Sequence, residues 1–296
     1  MRGYRSNFSV GGLGVVLALA VSAAVGASTP TEQFLEAAGG VRIRVLDSGP
    51  APGQPSLLFV PGWTLTAEIW QAQLEHFAGS RRSVAMDPRG QGGSSQTGEG
   101  LYPAARARDI RAVIQGLGLE PVVLVGWSMA VKEVLSYVDQ FGTSGVAALV
   151  LVDGVAGLDW DEERAHRLLD SLALLLQDQR AWTANFVPSM FRSPHSAAFL
   201  AQVQQASLRT PAPVAVALSV ASLAADLRPV LGRVDRPTLI VVTPGPFALR
   251  YAEMHAAIGG SRLEVFENAG HALFVDEPAR FNSLLEEFMA ALPAGR

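Results

Sequence analysis

A serine at position 128 is the residue of this chain best suited to nucleophilic chemistry. It is the centre of residues 126–130, GWSMA, which follow an apolar run at 121–125 and open a helical pattern. A serine at a sharp strand-to-helix turn has a strained backbone and an exposed hydroxyl, and small flanking residues let strand and helix pass closely. The first amide of the helix, that of Met129, then points at the group under attack, where the helix dipole favours negative charge. The pattern is typical of an acyl-transfer nucleophile, although most serines that follow strands only cap a helix.

Strand and helix patterns alternate on both sides of this serine and predict how it is positioned. Predicted strands lie at 33–38, 41–46, 57–60, 83–86, 121–127 and 146–152, the first two joined by a Gly-Gly hairpin turn. Predicted helices lie at 67–77, 102–117 and 129–141. Continuous apolar strands separated by helices indicate a parallel sheet that is covered on both faces.

The alternation stops at residue 154 and resumes near residue 235. Between these points only helical signals occur, interrupted by prolines. A strand at 238–242, a helix at 248–258, a strand at 263–266 and a closing helix at 278–292 follow. We therefore predict an α/β core made of residues 28–154 and 235–296, with a helical cap inserted at 155–234.

Composition excludes several classes of function. The 296 residues are 49% hydrophobic, which is enough to bury a large core. Net charge is −4 and the basic residues are scattered, so we expect no nucleic-acid partner. The absence of cysteine excludes disulfides, thiolate metal sites and a cysteine nucleophile, and no metal or cofactor is expected.

The N-terminus predicts export. Arg2 and Arg5 precede an uncharged apolar stretch at 10–25, and small residues at 25–27 lead into a polar segment. This order is typical of a secretory signal peptide, here residues 1–27, cleaved after Ala27. An uncleaved membrane anchor is the alternative, but the stretch is near the lower length limit for spanning a bilayer. We therefore expect a periplasmic or secreted protein with no stable membrane insertion after cleavage.

The order of elements after the leader resembles that of the α/β-hydrolase superfamily. Four segments carry the resemblance: VPGW at 60–63, DPRGQG at 87–92, GWSMA at 126–130 and NAGH at 268–271. The chain is most similar to small capped esterases, in which a helical lid follows the sixth strand. The resemblance implies an α/β-hydrolase fold, with a mostly parallel, doubly wound sheet and a helical cap inserted after the sixth strand.

The resemblance also implies that His271 is the catalytic base. His271 follows a predicted strand in a glycine-containing loop, and the chain order, Ser128 before His271, agrees with the family. This histidine would take the serine proton and return it to the leaving group. The other four histidines are expected to be surface, packing or loop residues: His76, His166, His195 and His255.

The position of the catalytic acid departs from the commonest family pattern. Many relatives carry it after the strand that matches 238–242, but here residues 243–246 read TPGP. Some relatives carry it after the preceding strand, where this chain has Asp153, and a carboxylate there would fix the histidine tautomer. Aspartate at a strand end is also a common turn former. Glu253 and an incomplete triad remain alternatives.

Further site residues are implied by the resemblance or suggested by their type. The loop after residue 60 would supply the backbone amide of Trp63 to an oxyanion hole, beside that of Met129. Asp87 and Arg89 are expected to form a tight turn. Trp127 in the serine turn is a candidate substrate-binding residue. Four large side chains of the insertion are candidates to line an apolar acyl pocket under the lid, although such residues more often form a lid's own core: Trp182, Phe186, Met190 and Phe191.

These features favour a secreted serine hydrolase that cleaves a small ester, thioester or lactone through an acyl-enzyme. A serine at the turn argues against haloalkane dehalogenases and epoxide hydrolases, which use aspartate there. A cofactor-free perhydrolase would use the same residues, with peroxide replacing water. A ligand-binding sensor is a further alternative, because residues 243–246 lack an acid. The sequence does not specify the natural substrate, the acyl length or the oligomeric state.

Overall fold

The computed structural model describes Met1, Gly3 and residues 29–293, and its centre is one eight-stranded sheet. The strands are β1 (Thr31–Ala37), β2 (Val41–Asp47), β3 (Gly53–Val60), β4 (Arg81–Met86), β5 (Val122–Trp127), β6 (Val146–Val152), β7 (Thr238–Val242) and β8 (Arg262–Val265). Their order is β1-β2-β4-β3-β5-β6-β7-β8. β2 pairs antiparallel with both of its neighbours, β1 and β4, whereas β3 to β8 are parallel to one another. The expected mostly parallel sheet is confirmed.

Helices cover both faces of this sheet. The helices of the core are α1 (Gln71–Phe77), preceded by a 3₁₀ turn at Ala67–Trp70, α2 (Pro103–Leu117), α3 (Ala130–Phe141), α9 (Ala248–Ala257), α10 (Leu273–Asp276) and α11 (Pro278–Ala290). Side chains alternate along each strand, so Leu58 and Val60 belong to the hydrophobic cluster under α2 and α3. Leu57 and Phe59 belong to the cluster under α1 and α11. Burial of both faces explains why the strands are continuously apolar.

Five helices lie between β6 and β7. They are α4 (Glu162–Gln177), α5 (Gln179–Ser189), α6 (Ala197–Ser207), α7 (Ala212–Ala224) and α8 (Arg228–Leu231). Asp161 starts α4 as its N-cap, because its carboxylate accepts from the Arg164 amide at 2.7 Å. The indole of Trp63 donates to the Ala215 carbonyl at 2.8 Å, which joins α7 to the core. This helical segment occupies the place in the chain where the cap is predicted.

The bounds of the elements differ from the prediction by a few residues. β3 shows the largest difference, since it begins at Gly53 rather than residue 57. The extra residues are Gly, Gln, Pro and Ser, which are typical of turns. They are held in the strand by pairing of Gly53 with Arg81 of β4, across a register shift. Strand pairing therefore overrides local preference here.

The predicted leader at 1–27 lies outside the described residues, apart from Met1 and Gly3. In residues 29–293, no single helix is both long and apolar enough to cross a bilayer. The pair α6 and α7, bent by 82° at their break, meets that criterion jointly by length and composition.

Candidate active site

The turn between β5 and α3 holds Ser128 in a left-handed conformation. Its φ is 58°, a value that non-glycine residues seldom adopt. The Ser128 amide donates to the Val152 carbonyl of the neighbouring strand at 2.8 Å, which stabilises the turn. A Cβ on Gly126 would lie 2.8 Å from the Ala130 carbonyl oxygen, so only glycine lets strand and helix approach this closely. Strand pairing and this close contact together fix where the hydroxyl stands.

Three side chains meet at the carboxyl ends of the parallel strands. The Nε2 atom of His271 lies 2.9 Å from the Ser128 hydroxyl oxygen. The Nδ1 atom of the same ring lies 2.8 Å from Oδ2 of Asp153. Ser128 directly follows β5 and Asp153 directly follows the adjacent β6, whereas His271 lies in the loop after β8. The arrangement can pass a proton from the hydroxyl to the imidazole while the carboxylate orients the ring.

The carboxylate of Asp153 is buried and has several donors besides the histidine. Oδ1 accepts from the backbone amide of Thr243 at 2.8 Å and from the Tyr251 hydroxyl at 3.1 Å. The hydroxyl of Thr243 lies 3.0 Å from Oδ2. Burial, together with the nearby Asp153 charge, raises the pKa of Tyr251, so this phenol stays a donor. The loop that lacks an acid therefore supplies donors to an acid on the neighbouring strand.

The two alternatives for the acid differ clearly in position. Glu253 lies on the exposed side of α9 and pairs with Arg250 at 2.7 Å. Asp153 is 6% exposed and contacts His271. Sequence reasoning did not identify Thr243 or Tyr251 as supports. Tyr251 could have been identified from its position on the inward face of α9, because a buried tyrosine hydroxyl needs a polar partner.

The backbone amides of Trp63 and Met129 have no acceptor among the described residues. The loop that carries the first of them is held by Gln91, whose Nε2 donates to the carbonyls of Gly62 at 3.0 Å and Leu65 at 2.7 Å. In a planar trans peptide the C=O and N–H point in opposite directions. Gln91 therefore sets the direction of the Trp63 amide by holding the Gly62 carbonyl.

Gln91 is itself fixed by a buried ion pair that the sequence did not reveal. Its Oε1 accepts from Nη2 of Arg106 on α2 at 2.7 Å. Arg106 also lies 2.8 Å from the carboxylate of Glu133 on α3, and both side chains are 1% exposed. Sequence reasoning treated the segment that contains Gln91 only as a turn. Asp87 does hold that turn, since it accepts from the amides of Ala67 and Gly93.

A cavity of about 410 Å³ opens beside Ser128. It is lined by Trp63, Ser128, Met129, Lys132, Asp153, Gly154, Val155, Leu158, Ser219, Ser222, Leu223, Thr243, Pro244, Gly245, Pro246, Phe247, Tyr251 and His271. Most of its accessible lining is apolar, which suits a small organic ligand. In the part of the chain that the structure describes, no three His, Cys, Asp or Glu side chains are grouped as a metal site.

The five large side chains expected to bind substrate, Trp127 and the four of the insertion, do not line this cavity, which corrects that expectation. Trp127 is buried and donates from its indole to the His271 carbonyl at 2.9 Å. Trp182 and Phe186 stack on each other and contact the ring of Trp63. Met190 belongs to the hydrophobic cluster under α1 and α11, and Phe191 packs against that cluster. Helical periodicity marks a buried face but does not show what that face packs against.

Lys132 is a cavity residue that sequence reasoning missed. It lies in the first turn of α3 and is 3% exposed. Its Nζ donates to the backbone carbonyls of Ser222 at 2.7 Å and Ala225 at 2.8 Å, at the end of α7. Burial lowers the pKa of Lys132 to about 8. The sequence does mark Lys132 as unusual, because it is the only lysine in the sequence.

Comparison with known proteins agrees with the fold. Residues 57–284 match the model of a family described as the alpha/beta hydrolase family. The chain is 27% identical over 250 residues to the AB hydrolase superfamily protein YisY of Bacillus subtilis, covering 80% of this chain and 91% of that protein. It is 38% identical over 120 residues to the bifunctional esterase/perhydrolase DCH of Acinetobacter calcoaceticus, covering 40% and 43%.

A solved structure has a similar fold over nearly the whole described chain. The esterase EaEST from Exiguobacterium antarcticum matches with a TM-score of 0.81 and 26% identity, covering 88% of this chain and 100% of that one. The family match spans the strand that precedes Trp63, the serine turn and the histidine loop. This chain therefore belongs to the alpha/beta hydrolase family.

Proposed function

We propose that this protein is a serine hydrolase that cleaves small esters through an acyl-enzyme. The observation that carries the proposal is the hydrogen-bonded series Ser128, His271 and Asp153, with distances of 2.9 Å and 2.8 Å. The cavity beside the serine hydroxyl has the size of a small-molecule site. The esterases among its relatives support the same class of reaction.

In the first half-reaction, the Ser128 oxygen attacks the ester carbonyl carbon while Nε2 of His271 takes the hydroxyl proton. The carbonyl oxygen becomes an oxyanion, to which the amides of Trp63 and Met129 donate. Each such donor contributes about 3 kcal/mol in comparable sites. Collapse of the intermediate breaks the bond to the leaving alkoxide, which receives the proton from His271. The product of this step is the alcohol and an acyl-serine.

In the second half-reaction, water attacks the acyl-serine and His271 takes a proton from it. The second tetrahedral intermediate collapses to the carboxylic acid, and the serine oxygen regains its proton. Asp153 accepts from Nδ1 throughout, so it holds the tautomer whose Nε2 can accept and stabilises the imidazolium.

Replacement of the nucleophile tests the proposal. We expect Ser128→Ala to abolish turnover of p-nitrophenyl esters from acetate to palmitate, and to abolish labelling by a fluorophosphonate. Ser189→Ala, which changes an exposed serine of α5, is the matched control and should label and turn over normally. Parent-like ester hydrolysis by Ser128→Ala would refute the proposal, and a parent protein that neither labels nor turns over would favour a ligand-binding role.

A second candidate activity is perhydrolysis, which the similarity to a bifunctional esterase/perhydrolase supports. Hydrogen peroxide would replace water in the second half-reaction, so that the acyl-serine yields a peracid and free enzyme. Rates of acyl-enzyme breakdown with and without peroxide, and detection of the peracid by bromide oxidation, separate the two. Peracid formation that needs Ser128 would establish this activity.

We also propose that the chain is exported. The basic, apolar and small-residue segments of residues 1–27 support this proposal.

A further inference from the structure

The only lysine of the chain lies inside the candidate active site. Of the 23 lysine and arginine residues, 22 are arginine. Lys132 is four residues after Ser128 and lies in the first turn of α3, the helix that begins two residues after that serine. Its side chain lines the cavity that also contains Ser128 and His271. A ligand bound beside Ser128 in this cavity would therefore lie close to Lys132.

The hydrogen bonds of Lys132 leave part of its ammonium group unused. An ammonium carries three N–H groups. Two donate to the carbonyls of Ser222 and Ala225 on the cap side of the cavity. No other acceptor contacts its Nζ within the described residues, and none of their ion pairs includes it. One N–H therefore has no acceptor there, and Asp226, whose charge acts on Lys132 without an ion pair between them, pairs with Arg228 instead.

The rest of the cavity does not balance this charge. Asp153 is the acidic side chain in its lining, and its carboxylate is engaged by His271, Thr243 and Tyr251. The apolar walls lower the local dielectric constant, which strengthens any ion pair formed inside. A buried cation without a partner costs free energy, and an anionic ligand offsets this cost.

We propose that Lys132 binds a carboxylate of the substrate, so that the preferred substrates are small esters that also carry a carboxylate, such as half-esters of short dicarboxylic acids. This inference rests on the proposed esterase function. The ammonium is a compact charge with rotatable donors, so one group can hold the cap carbonyls and the ligand together.

Matched pairs of substrates and variants test the inference. Monomethyl succinate, glutarate and adipate are compared with methyl butyrate, valerate and hexanoate by pH-stat titration at pH 7. Lys132→Gln keeps amide donors for the carbonyls of Ser222 and Ala225 but removes the charge. We expect the ratio of kcat/KM for charged over neutral esters to fall about 100-fold in this variant. Lys132→Arg, which keeps the charge, should restore part of the ratio.

A binding experiment does not depend on turnover. With ¹⁵N-labelled lysine, the protein has one lysine side-chain signal, because the chain has one lysine. In Ser128→Ala, monomethyl glutarate should shift the Lys132 signal and methyl valerate should not. Absence of this shift would overturn the inference.

The outcomes separate the inference from the function on which it rests. An equal loss of both ester classes in Lys132→Gln would mean that Lys132 only anchors α7. A parent enzyme that prefers neutral esters would also overturn the inference while leaving the esterase proposal intact. A protein that hydrolyses no ester but shifts its lysine signal with monomethyl glutarate would retain the carboxylate site and lose the esterase proposal.

Discussion

At the residue scale, Asp153 shows how a site depends on its surroundings. Four oxygen and nitrogen donors converge on its carboxylate: the amide and hydroxyl of Thr243, the Tyr251 hydroxyl and Nδ1 of His271. Its φ of 42° lies in the left-handed region, and its amide donates to the Val241 carbonyl at 2.8 Å. The end of β7, helix α9 and the histidine loop together fix where the carboxylate points.

Asp153→Asn tests the role of this carboxylate. We expect kcat to fall by as much as about ten-thousandfold, because an amide favours the wrong imidazole tautomer. The free energy of unfolding, measured by urea denaturation, should change much less, since asparagine tolerates a positive φ. Glu253→Gln is the matched control, because that carboxylate is exposed and pairs with Arg250. Full activity of Asp153→Asn would contradict the assignment.

Gln91 is the second residue whose role can be tested. Gln91→Glu keeps an oxygen to accept from Arg106 but loses the N–H that holds the Gly62 carbonyl. We expect kcat to fall about 10- to 100-fold with a smaller change in KM, because the Trp63 amide then loses its fixed direction. Steady-state kinetics on one p-nitrophenyl ester measures both constants. An unchanged kcat would show that the loop is held without Gln91.

At the element scale, two neighbouring parallel strands place two of the three side chains of the candidate active site. β5 and β6 are in register up to the pair Trp127 and Val152, so the residues that follow them stand side by side. Ser128 and Asp153 are those residues. β8 lies two strands beyond β6 in the sheet, and the loop after it places His271 between Ser128 and Asp153. The geometry of the site is therefore largely that of the sheet edge.

We expect Lys132, which is buried where α3 meets α7, to make the stability of the protein depend on pH. Burial lowers the pKa of Lys132 to about 8, with Asp226 opposing and Arg228 adding to the shift. Between pH 8 and pH 10.5, the pKa of this lysine in the unfolded chain, the unfolded state binds more protons than the folded state. The free energy of unfolding should therefore rise with pH in this window, by up to about 3 kcal/mol.

Urea denaturation of the parent and of Lys132→Gln at pH 7.5 and pH 9.5 measures this effect. The difference in unfolding free energy between the two proteins isolates the lysine from the other groups that titrate in the same range. We expect the parent to gain stability relative to the variant at the higher pH. A difference that does not change with pH would show that the Lys132 pKa is close to that of the unfolded chain.

At the scale of the whole molecule, the proposed leader is the feature that decides location. Expression with residues 1–27 in a host with a secretion system, followed by intact-mass measurement of the exported protein, tests it. We expect a mature chain that begins at Ser28, because small residues precede a cleavage site. A chain with a substitution of Ala27 by a large residue should be processed more slowly. A full-length chain retained in membranes would indicate an anchor.

Most of the fold could be predicted from the sequence, because its signals are local. Continuous apolar runs mark buried parallel strands, and their alternation with helical periodicity indicates a covered sheet. The strand-to-helix turn at Ser128 and the loop at His271 are also encoded in a few consecutive residues. The outer bounds were less well predicted where pairing between strands decided them, as at Gly53 of β3.

The partners within the site could be decided only by the tertiary structure. His271 and Asp153 are 118 residues apart in the chain, and Asp153 and Tyr251 are 98 apart. No local pattern reports such a contact, so the sequence left Asp153 and Glu253 both open. For the same reason, periodicity could not show that Trp182 packs on Trp63 instead of lining the cavity. Nor could it show that the single lysine enters that cavity, because the direction of a side chain there depends on how α3 and α7 meet.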